Sequence, residues 1–304
     1  MADLRVSFAG VEFENPILVA SGTFGFGREY GTYFDLNELG GICVKGLTLH
    51  PRAGNKVPRI AETPMGMLNS VGLQNPGVDA FIEEELPFLR QYRTKVIANL
   101  SGNTVEEYAI LAEKLSDAGV DILEVNISCP NVKEGGLAFG TSTEGAADVT
   151  RAVRAKSKVP VMVKLSPNVA DIASIAKACA AEGADALSLI NTLLGMRIDI
   201  GTKKPILHNN MGGLSGPAVL PVAIRMVYQV AQAVNLPILG MGGIMTASDA
   251  AELMIAGADM VALGTALFVD PFAPIKVKRD LSAYLDRWGI KSVTELTGTV
   301  KVHV

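Results

Sequence analysis

The sequence has few of the residues from which metal and redox centres are built. Its 304 residues include only three cysteines and three histidines. Cys43, Cys129 and Cys179 cannot form a disulfide framework and are too few to ligate an iron–sulfur cluster. The histidines, at positions 50, 208 and 303, show no paired metal-ligand spacing. The composition therefore argues against metal catalysis, and Cys43 and Cys179, in apolar surroundings, are expected to be buried.

Charge and hydropathy exclude further classes of protein. The formal net charge of −4 offers no basic surface for nucleic acid, and no run of like charges occurs. The opening residues MADLRVSFAG lack the basic and apolar regions of a secretory signal. The most apolar segment, residues 258–269, is far shorter than a membrane span. We therefore expect a cytoplasmic protein with no nucleic-acid or membrane partner.

What the sequence does contain is a regular alternation of short apolar runs and helical patterns. Its 49% hydrophobic content and 31 glycines are typical of a compact α/β protein. The apolar runs predict strands at 17–21, 42–48, 96–101, 122–128, 161–166, 186–191, 238–242 and 260–264. Apolar strands separated by helices indicate a parallel sheet, and eight such units predict a (β/α)8 TIM barrel formed by one domain, residues 1–304. An open doubly wound sheet is the structural alternative.

The connections predict where a site would lie. Helices are predicted at 104–118, 144–157, 171–182, 217–233 and 246–256, and residues 4–16 are predicted to form a hairpin before the first barrel strand. Three connections, 50–79, 130–143 and 192–216, are longer than usual, and each follows a strand. In a barrel all three would lie on the C-terminal rim, which is the catalytic face of this fold.

Polar residues are concentrated at the predicted strand ends. Neutral amides and hydroxyls occur there at Ser21, Asn99, Asn126, Asn191 and Thr192. Lys45 and Lys164 lie within otherwise apolar strands, where a charge is costly to bury unless it is paired. A structural ion pair is one explanation. We favour the other, in which the two cations hold an electron-rich, partly anionic molecule.

Glycines mark the ends of the last two predicted strands. The segments GMGGI and LGTAL place Gly242, Gly243 and Gly264 at turns that lead to helices. Glycines let backbone N–H groups approach an anion, and a helix N-terminus favours negative charge. Phosphate binding after strands seven and eight recurs in TIM barrels. These turns predict a phosphorylated cofactor, and the absence of a GxGxxG motif argues against a dinucleotide fold in this chain.

Taken in chain order, these motifs resemble class 1 dihydroorotate dehydrogenase. The resemblance runs from residue 16 to about residue 271 and rests on KGLT (45–48), NSVGLQN (69–75), NISCPN (126–131), VKLSPN (163–168), INT (190–192) and GMGGI (240–244). The segments CPNVKEGGLAFG and TLLGMRIDI resemble the NAD-linked class 1B catalytic subunit more than the fumarate-reducing class 1A homodimer. The resemblance implies an FMN-dependent barrel enzyme that oxidises dihydroorotate to orotate in pyrimidine (UMP) biosynthesis.

The resemblance also implies a role for individual residues. Cys129 would be the general base that removes the C5 proton of dihydroorotate while the C6 hydride moves to the flavin, and the loop containing VKEGG would open and close over the substrate. FMN would be held by Ser21, Lys45, Gly46, Asn99, Asn126, Lys164, Ile190, Gly216, Gly242, Gly243, Gly264 and Thr265. The substrate would contact Lys45, Asn69, Ser70, Val71, Gly72, Leu73, Asn126, Asn191 and Thr192, because amides match both donors and acceptors of a pyrimidine ring.

The class 1B resemblance implies a partner protein as well. Electrons would have to reach NAD, yet this chain lacks a dinucleotide fingerprint and the cysteines for a cluster. The implied partner is a subunit carrying FAD and a [2Fe–2S] cluster, in a heterotetramer of two catalytic and two electron-transfer subunits. The alternatives are a fumarate-dependent class 1A enzyme, another FMN barrel such as a dihydropyrimidine or dihydrouridine reductase, and a non-catalytic flavin-binding barrel. A dihydrouridine reductase should show a basic face for tRNA, which this chain lacks.

Overall fold

Eight parallel strands form a closed barrel in a computed structural model that describes residues 2–128 and 139–303. In chain order they are β1 (Ile17–Val19), β2 (Gly41–Cys43), β3 (Lys95–Leu100), β4 (Ile122–Asn126), β5 (Val161–Lys164), β6 (Ala186–Leu189), β7 (Ile238–Met241) and β8 (Met260–Leu263). Each predicted strand corresponds to one of them, so the TIM barrel is confirmed and the open doubly wound sheet is excluded. Several predictions extended too far, as at 42–48, because the polar residues after β2 leave the sheet and line its rim.

The strand register places polar side chains inside the barrel. Asn99 on β3 lies opposite Glu124 on β4, and Asn126 on β4 lies opposite Lys164 on β5. Side chains alternate along a strand, so Glu124 and Asn126 face the same side. All four residues are buried within a core that is otherwise apolar.

Helices surround the barrel. The longer ones are Val105–Asp117, Thr143–Lys156, Ile172–Ala181, Leu220–Ala231, Ala247–Ala256 and Ala273–Trp288. Shorter helical segments are Tyr30–Thr32, Leu36–Glu38, Val78–Ala80, Phe81–Glu85, Leu86–Leu89, Phe139–Thr141, Pro217–Val219, Ala266–Val269 and Val293–Leu296. The five predicted helices are present, whereas Ala273–Trp288 was not among them. Within residues 2–128 and 139–303, none of the helices combines the length and apolar character needed to cross a bilayer.

Three aspartates connect neighbouring strands at the N-terminal end of the barrel. Asp121, Asp185 and Asp259 each follow a helix that ends near a glycine and come just before a barrel strand. Their carboxylates accept hydrogen bonds of 2.8 Å from the backbone N–H groups of Val96, Val161 and Ile238, respectively. The repeated contact satisfies N–H groups that would otherwise lack an acceptor at the start of the preceding strand.

The predicted N-terminal hairpin is also present. Strands Val6–Phe8 and Val11–Phe13 pair in antiparallel fashion around Ala9 and Gly10, both of which have positive φ. Phe13 lies beside Gly41 at the start of β2. The hairpin therefore covers the N-terminal end of the barrel, on the opposite side from the C-terminal rim.

Two of the long connections, predicted only as loops, pair with each other in a four-stranded rim sheet. Ile60–Thr63 and Gly66–Asn69 come from the first connection, and Leu193–Gly195 and Gly212–Ser215 from the third. Ile198–Asp199 and Lys204–Pro205 form a further small hairpin. Gly66–Asn69 pairs with Gly212–Ser215, so the sheet joins segments that are distant in sequence. Most of the connection 130–143 lies outside the described residues.

Candidate active site

A cavity at the C-terminal ends of the barrel strands contains the predicted site residues. All those that the structure describes line it, and they come from the ends of all eight barrel strands and from the rim sheet: Ser21, Lys45, Gly46, Asn69, Ser70, Val71, Gly72, Leu73, Asn99, Asn126, Lys164, Ile190, Asn191, Thr192, Gly216, Gly242, Gly243, Gly264 and Thr265. Cys129, the predicted base, and the VKEGG segment lie outside the described residues. The fold thus brings the described site residues together, while their individual roles remain predictions.

An apolar part of the lining was not found by sequence reasoning. Met67 and Leu214 of the rim sheet, Met241 at the end of β7, and Ile244 and Phe268 on the rim all face the cavity. Apolar surface of this kind suits a ring system, because most ligand pockets combine apolar walls with a few placed polar groups. Apolar rim residues resemble core residues in sequence, so only the tertiary structure identifies them.

The two predicted lysines occupy different surroundings. Lys164 is almost fully buried, and its Nζ lies 3.4 Å from Ser21 Oγ and 3.9 Å from Glu124 Oε1. Lys45 is partly buried, and its Nζ lies beside Gly22, where an added Cβ would be 3.7 Å away. The ion-pair explanation therefore holds for Lys164, which nevertheless also lines the cavity.

Glu124 is a functional candidate that the sequence reasoning missed. Its carboxylate accepts hydrogen bonds from Asn99 Nδ2 at 2.5 Å and from Ser188 Oγ at 2.8 Å. The available signal was an acidic residue in an apolar strand, two positions before Asn126 and hence on the same face. Two of the groups it contacts, Asn99 and Lys164, line the cavity.

A second polar network fixes the amides at the ends of β4 and β6. Asn126 Oδ1 accepts from the Ser128 N–H and from Asn191 Nδ2, both at 3.2 Å. Asn191 Oδ1 in turn accepts from the Thr192 N–H at 2.8 Å. The Tyr108 hydroxyl donates to the backbone carbonyl of Asn126 at 2.8 Å. These contacts hold both amides in one orientation before any ligand binds.

The segment 69–75 is anchored by its last residue, Asn75, for which the sequence predicted no role. Asn75 Oδ1 accepts from the N–H groups of Thr48 and Gly77, and its Nδ2 donates to the Leu73 carbonyl at 2.6 Å. Leu73 adopts a left-handed backbone with φ of 54°. A non-glycine residue in this conformation is strained and persists only where the surroundings hold it. Asn75 therefore shapes the loop that carries the predicted substrate contacts.

The glycine turns after β7 and β8 lie side by side in the lining of the cavity. Gly242 and Gly243 have positive φ and precede helix Ala247–Ala256, whose first turn is closed by a capping box between Thr246 and Asp249. Thr265 Oγ1 donates to Ser215 Oγ of the rim sheet at 2.7 Å. Backbone N–H groups in turns of this kind are suited to an anion.

The two cysteines within the described residues do not line the cavity. Cys43 and Cys179 are both buried, as predicted. Burial raises the pKa of the Cys43 thiol well above its ordinary value, with a further contribution from the negative charge of Glu124. Burial raises the pKa of Cys179 to about 11. Across the part of the chain that the structure describes, His, Cys, Asp and Glu side chains form no group of three or more that could hold a metal ion.

Comparison with known proteins places the chain in a family. The family model for dihydroorotate dehydrogenase matches residues 3–285. A protein of Alkaliphilus metalliredigens is 59% identical over 298 residues, which are 98% of this chain and 99% of that protein. Proteins of Geobacillus kaustophilus and Geotalea uraniireducens are 58% and 56% identical over 299 residues, covering 98% of this chain and 96% and 98% of the relatives. All three are named dihydroorotate dehydrogenase B (NAD(+)), catalytic subunit. The resemblance carried by the strand-end motifs is confirmed, and the chain belongs to the dihydroorotate dehydrogenase family.

Proposed function

We propose that the protein is a cytoplasmic, NAD-linked dihydroorotate dehydrogenase catalytic subunit that oxidises dihydroorotate to orotate with FMN bound in the cavity. The observation that carries this proposal is the convergence, in one cavity, of two lysines, a fixed amide network and two glycine turns. Family membership and the names of the relatives support the substrate and the electron acceptor.

The cavity has the features that FMN binding would require. Asn99 Oδ1 and Ser70 Oγ are buried atoms of two residues that line the cavity, and neither has a hydrogen-bond partner within the described residues, which leaves each open to a bound ligand. The turns at Gly242, Gly243 and Gly264 offer backbone N–H groups for a phosphate. The flavin contacts would come from Ser21, Lys45, Gly46, Asn99, Asn126, Lys164, Ile190, Gly216 and Thr265. When bound, FMN would supply the acceptor for the substrate hydride.

The chain's own residues would bind and orient the substrate. The loop Asn69–Leu73, held by Asn75, lines the same cavity as Asn191 and Thr192. Because Asn126 and Asn191 are already fixed by hydrogen bonds, a flat pyrimidine would find its donors and acceptors in place. Lys45 would add a positive charge for the anionic substrate.

Cys129 is proposed as the base that takes the C5 proton. It follows Asn126 by three residues, and the chain just before it is anchored because Ser128 Oγ donates to the Lys164 carbonyl at 3.1 Å. A thiol must be substantially thiolate to act as a base, which a nearby cation favours. Cys43 and Cys179 are unsuited to this role because both are buried and have raised pKa values.

The proposed partner is an electron-transfer subunit with FAD and a [2Fe–2S] cluster, in an assembly of two catalytic and two electron-transfer subunits. The relatives' names support it, since they describe a catalytic subunit of an NAD(+)-linked enzyme. The chain itself carries neither a dinucleotide fingerprint nor enough cysteines for a cluster.

The test is to purify the chain alone, identify its released cofactor, and assay dihydroorotate oxidation with an artificial dye, fumarate and NAD. We expect FMN, activity with the dye, and NAD reduction only after the electron-transfer subunit is added. Finding FAD or no flavin would refute the cofactor assignment. Efficient turnover with fumarate would favour the class 1A alternative, and NAD reduction by the chain alone would contradict both.

A further inference from the structure

Glu124 is a buried carboxylate for which the proposed reaction has no use. It lies on β4 with its side chain inside the barrel, and it is 0% exposed. It does not itself line the cavity, yet Asn99 and Lys164, which it contacts, both do. A buried charge is retained only where partners compensate for the loss of water, so these contacts are specific.

Both oxygens of Glu124 have partners. Oε2 accepts from Asn99 Nδ2 at 2.5 Å, and Oε1 accepts from Ser188 Oγ at 2.8 Å. Lys164 Nζ lies 3.9 Å from Oε1, which makes the two residues a buried ion pair. Glu124 therefore connects β3, β5 and β6 directly behind the residues that line the cavity.

The first consequence concerns the orientation of Asn99. A carboxylate can only accept hydrogen bonds, so the amide must turn its Nδ2 towards Glu124 and its Oδ1 away. Asn99 Oδ1 is buried and has no hydrogen-bond partner among the described residues. The neighbouring Gly46 leaves it room, because a Cβ there would lie 2.8 Å from this oxygen. Glu124 thus leaves Asn99 Oδ1 as a hydrogen-bond acceptor for an N–H group of a ligand.

The second consequence concerns charge. Lys164 Nζ lies within reach of both Glu124 Oε1 and Ser21 Oγ, at 3.9 and 3.4 Å. The carboxylate balances the ammonium group, so the pair presents less positive charge to the cavity than the lysine alone would. In a buried site such a charge acts strongly on a ring system bound beside it.

We propose that Glu124 is a positioning residue for the flavin: it orients Asn99 as an acceptor for a flavin N–H and offsets the charge of Lys164 beside the ring. This inference rests on the proposed binding of FMN in the cavity. Removing the negative charge should favour the reduced ring, which is the more negatively charged form, and should therefore raise the midpoint potential of bound FMN.

The charge is tested with Glu124→Gln in the FMN-loaded protein. Glutamine can still accept from Asn99 through Oε1 and donate to Ser188 through Nε2, so both hydrogen bonds persist while the charge that faces Lys164 is lost. We expect a higher midpoint potential, measured by spectroelectrochemistry. Ser188→Ala is the matched control, because it removes one hydrogen bond from the same carboxylate and keeps the charge. It should leave the potential unchanged. An unchanged potential in Glu124→Gln would overturn the charge assignment.

The orientation of the Asn99 amide is tested by substituting Asn99 itself. Asn99→Asp places two carboxylates together and should weaken FMN binding to the apoprotein about tenfold or more. In the double variant Asn99→Asp with Glu124→Gln, the glutamine amide can donate to one oxygen of the introduced carboxylate, whose other oxygen takes the position of Asn99 Oδ1. We therefore expect the double variant to recover most of the affinity.

Equal FMN affinity of the single and double variants would overturn the orientation assignment, because a merely structural loss would not be restored by a second substitution. FMN titrations of apoproteins, with their thermal unfolding recorded in parallel, make this comparison. A wild-type protein that binds no FMN would refute the proposed cofactor as well. If the wild-type protein binds FMN and the variants match it in FMN affinity and midpoint potential, only the role of Glu124 is refuted.

Discussion

Substitution by alanine should have different effects at the two glycine turns of the proposed phosphate site. Gly243 has φ of +86°, and a Cβ there would lie 2.6 Å from Leu220 Cβ and 2.8 Å from its Cα and N. Gly264 has no left-handed φ, and the nearest atom to its added Cβ would be Ala20 Cβ at 3.6 Å. The first substitution therefore strains the protein itself, whereas the second only adds a methyl group to the cavity lining.

The expected magnitudes follow from these distances. In Gly243→Ala the left-handed backbone costs about 1–2 kcal/mol, and overlap with Leu220 adds about 1–3 kcal/mol. The free energy of unfolding should therefore fall by about 2–5 kcal/mol. A contact of 3.6 Å is ordinary van der Waals distance, so FMN-free Gly264→Ala should unfold within about 0.5 kcal/mol of wild type. Its FMN affinity should nevertheless fall about tenfold or more, because the methyl group occupies space that a phosphate would need.

Denaturant unfolding of the FMN-free proteins and fluorescence titration with FMN measure the two effects. Gly119→Ala is a matched control, because Gly119 has φ of +80° and nothing within 4 Å of an added Cβ. It should show the backbone cost alone and wild-type FMN affinity. If Gly264→Ala binds FMN as tightly as wild type, the phosphate does not lie at that turn. A Gly243→Ala protein no less stable than Gly119→Ala would refute the overlap with Leu220.

Further predictions concern the base, the buried lysine and a strand-connecting aspartate. Cys129→Ala should bind orotate but reduce FMN with dihydroorotate about 10²–10⁴-fold more slowly, and near wild-type stopped-flow bleaching would remove Cys129 from the reaction. Lys164→Ala should release FMN more readily and lower its midpoint potential, because a cation near the ring is lost; an unchanged potential would leave Lys164 a structural role only. Asp259→Ala should lower the free energy of unfolding by about 1–3 kcal/mol, because the Ile238 N–H loses its acceptor, whereas Asp259→Asn keeps one. Burial raises the pKa of Asp259 above its ordinary 3.8, so the stability that this group contributes is fully present below pH 3.8 and is lost as the pH rises through the raised value. The free energy of unfolding of Asp259→Asn, measured in urea, should therefore increase relative to that of wild type as the pH rises from 3.8 through the raised pKa. A difference between the two proteins that does not change with pH would contradict the raised pKa.

Local patterns in the sequence were sufficient for the barrel and for the polar strand ends of the cavity, whereas the contacts predicted at residues 69–73 came from the family resemblance. Strands such as Met260–Leu263 are continuous apolar runs, and helices such as Ile172–Ala181 follow a capping residue, so each element was recognisable from its own residues. Parallel strands bring their C-terminal ends to one edge. For that reason Asn99, Lys164 and Gly264, far apart in sequence, could be assigned to the same cavity before its shape was known.

Only the tertiary structure decided the features that depend on pairing between distant segments. The rim sheet pairs Gly66–Asn69 with Gly212–Ser215, and neither segment carries a local signal that names its partner. In the sequence, Glu124 is only an acidic residue in an apolar strand. The structure shows that its carboxylate contacts Asn99 and Lys164. A strand's sequence records that it is buried, whereas hydrogen bonds across the barrel depend on register and closure, which no single segment contains.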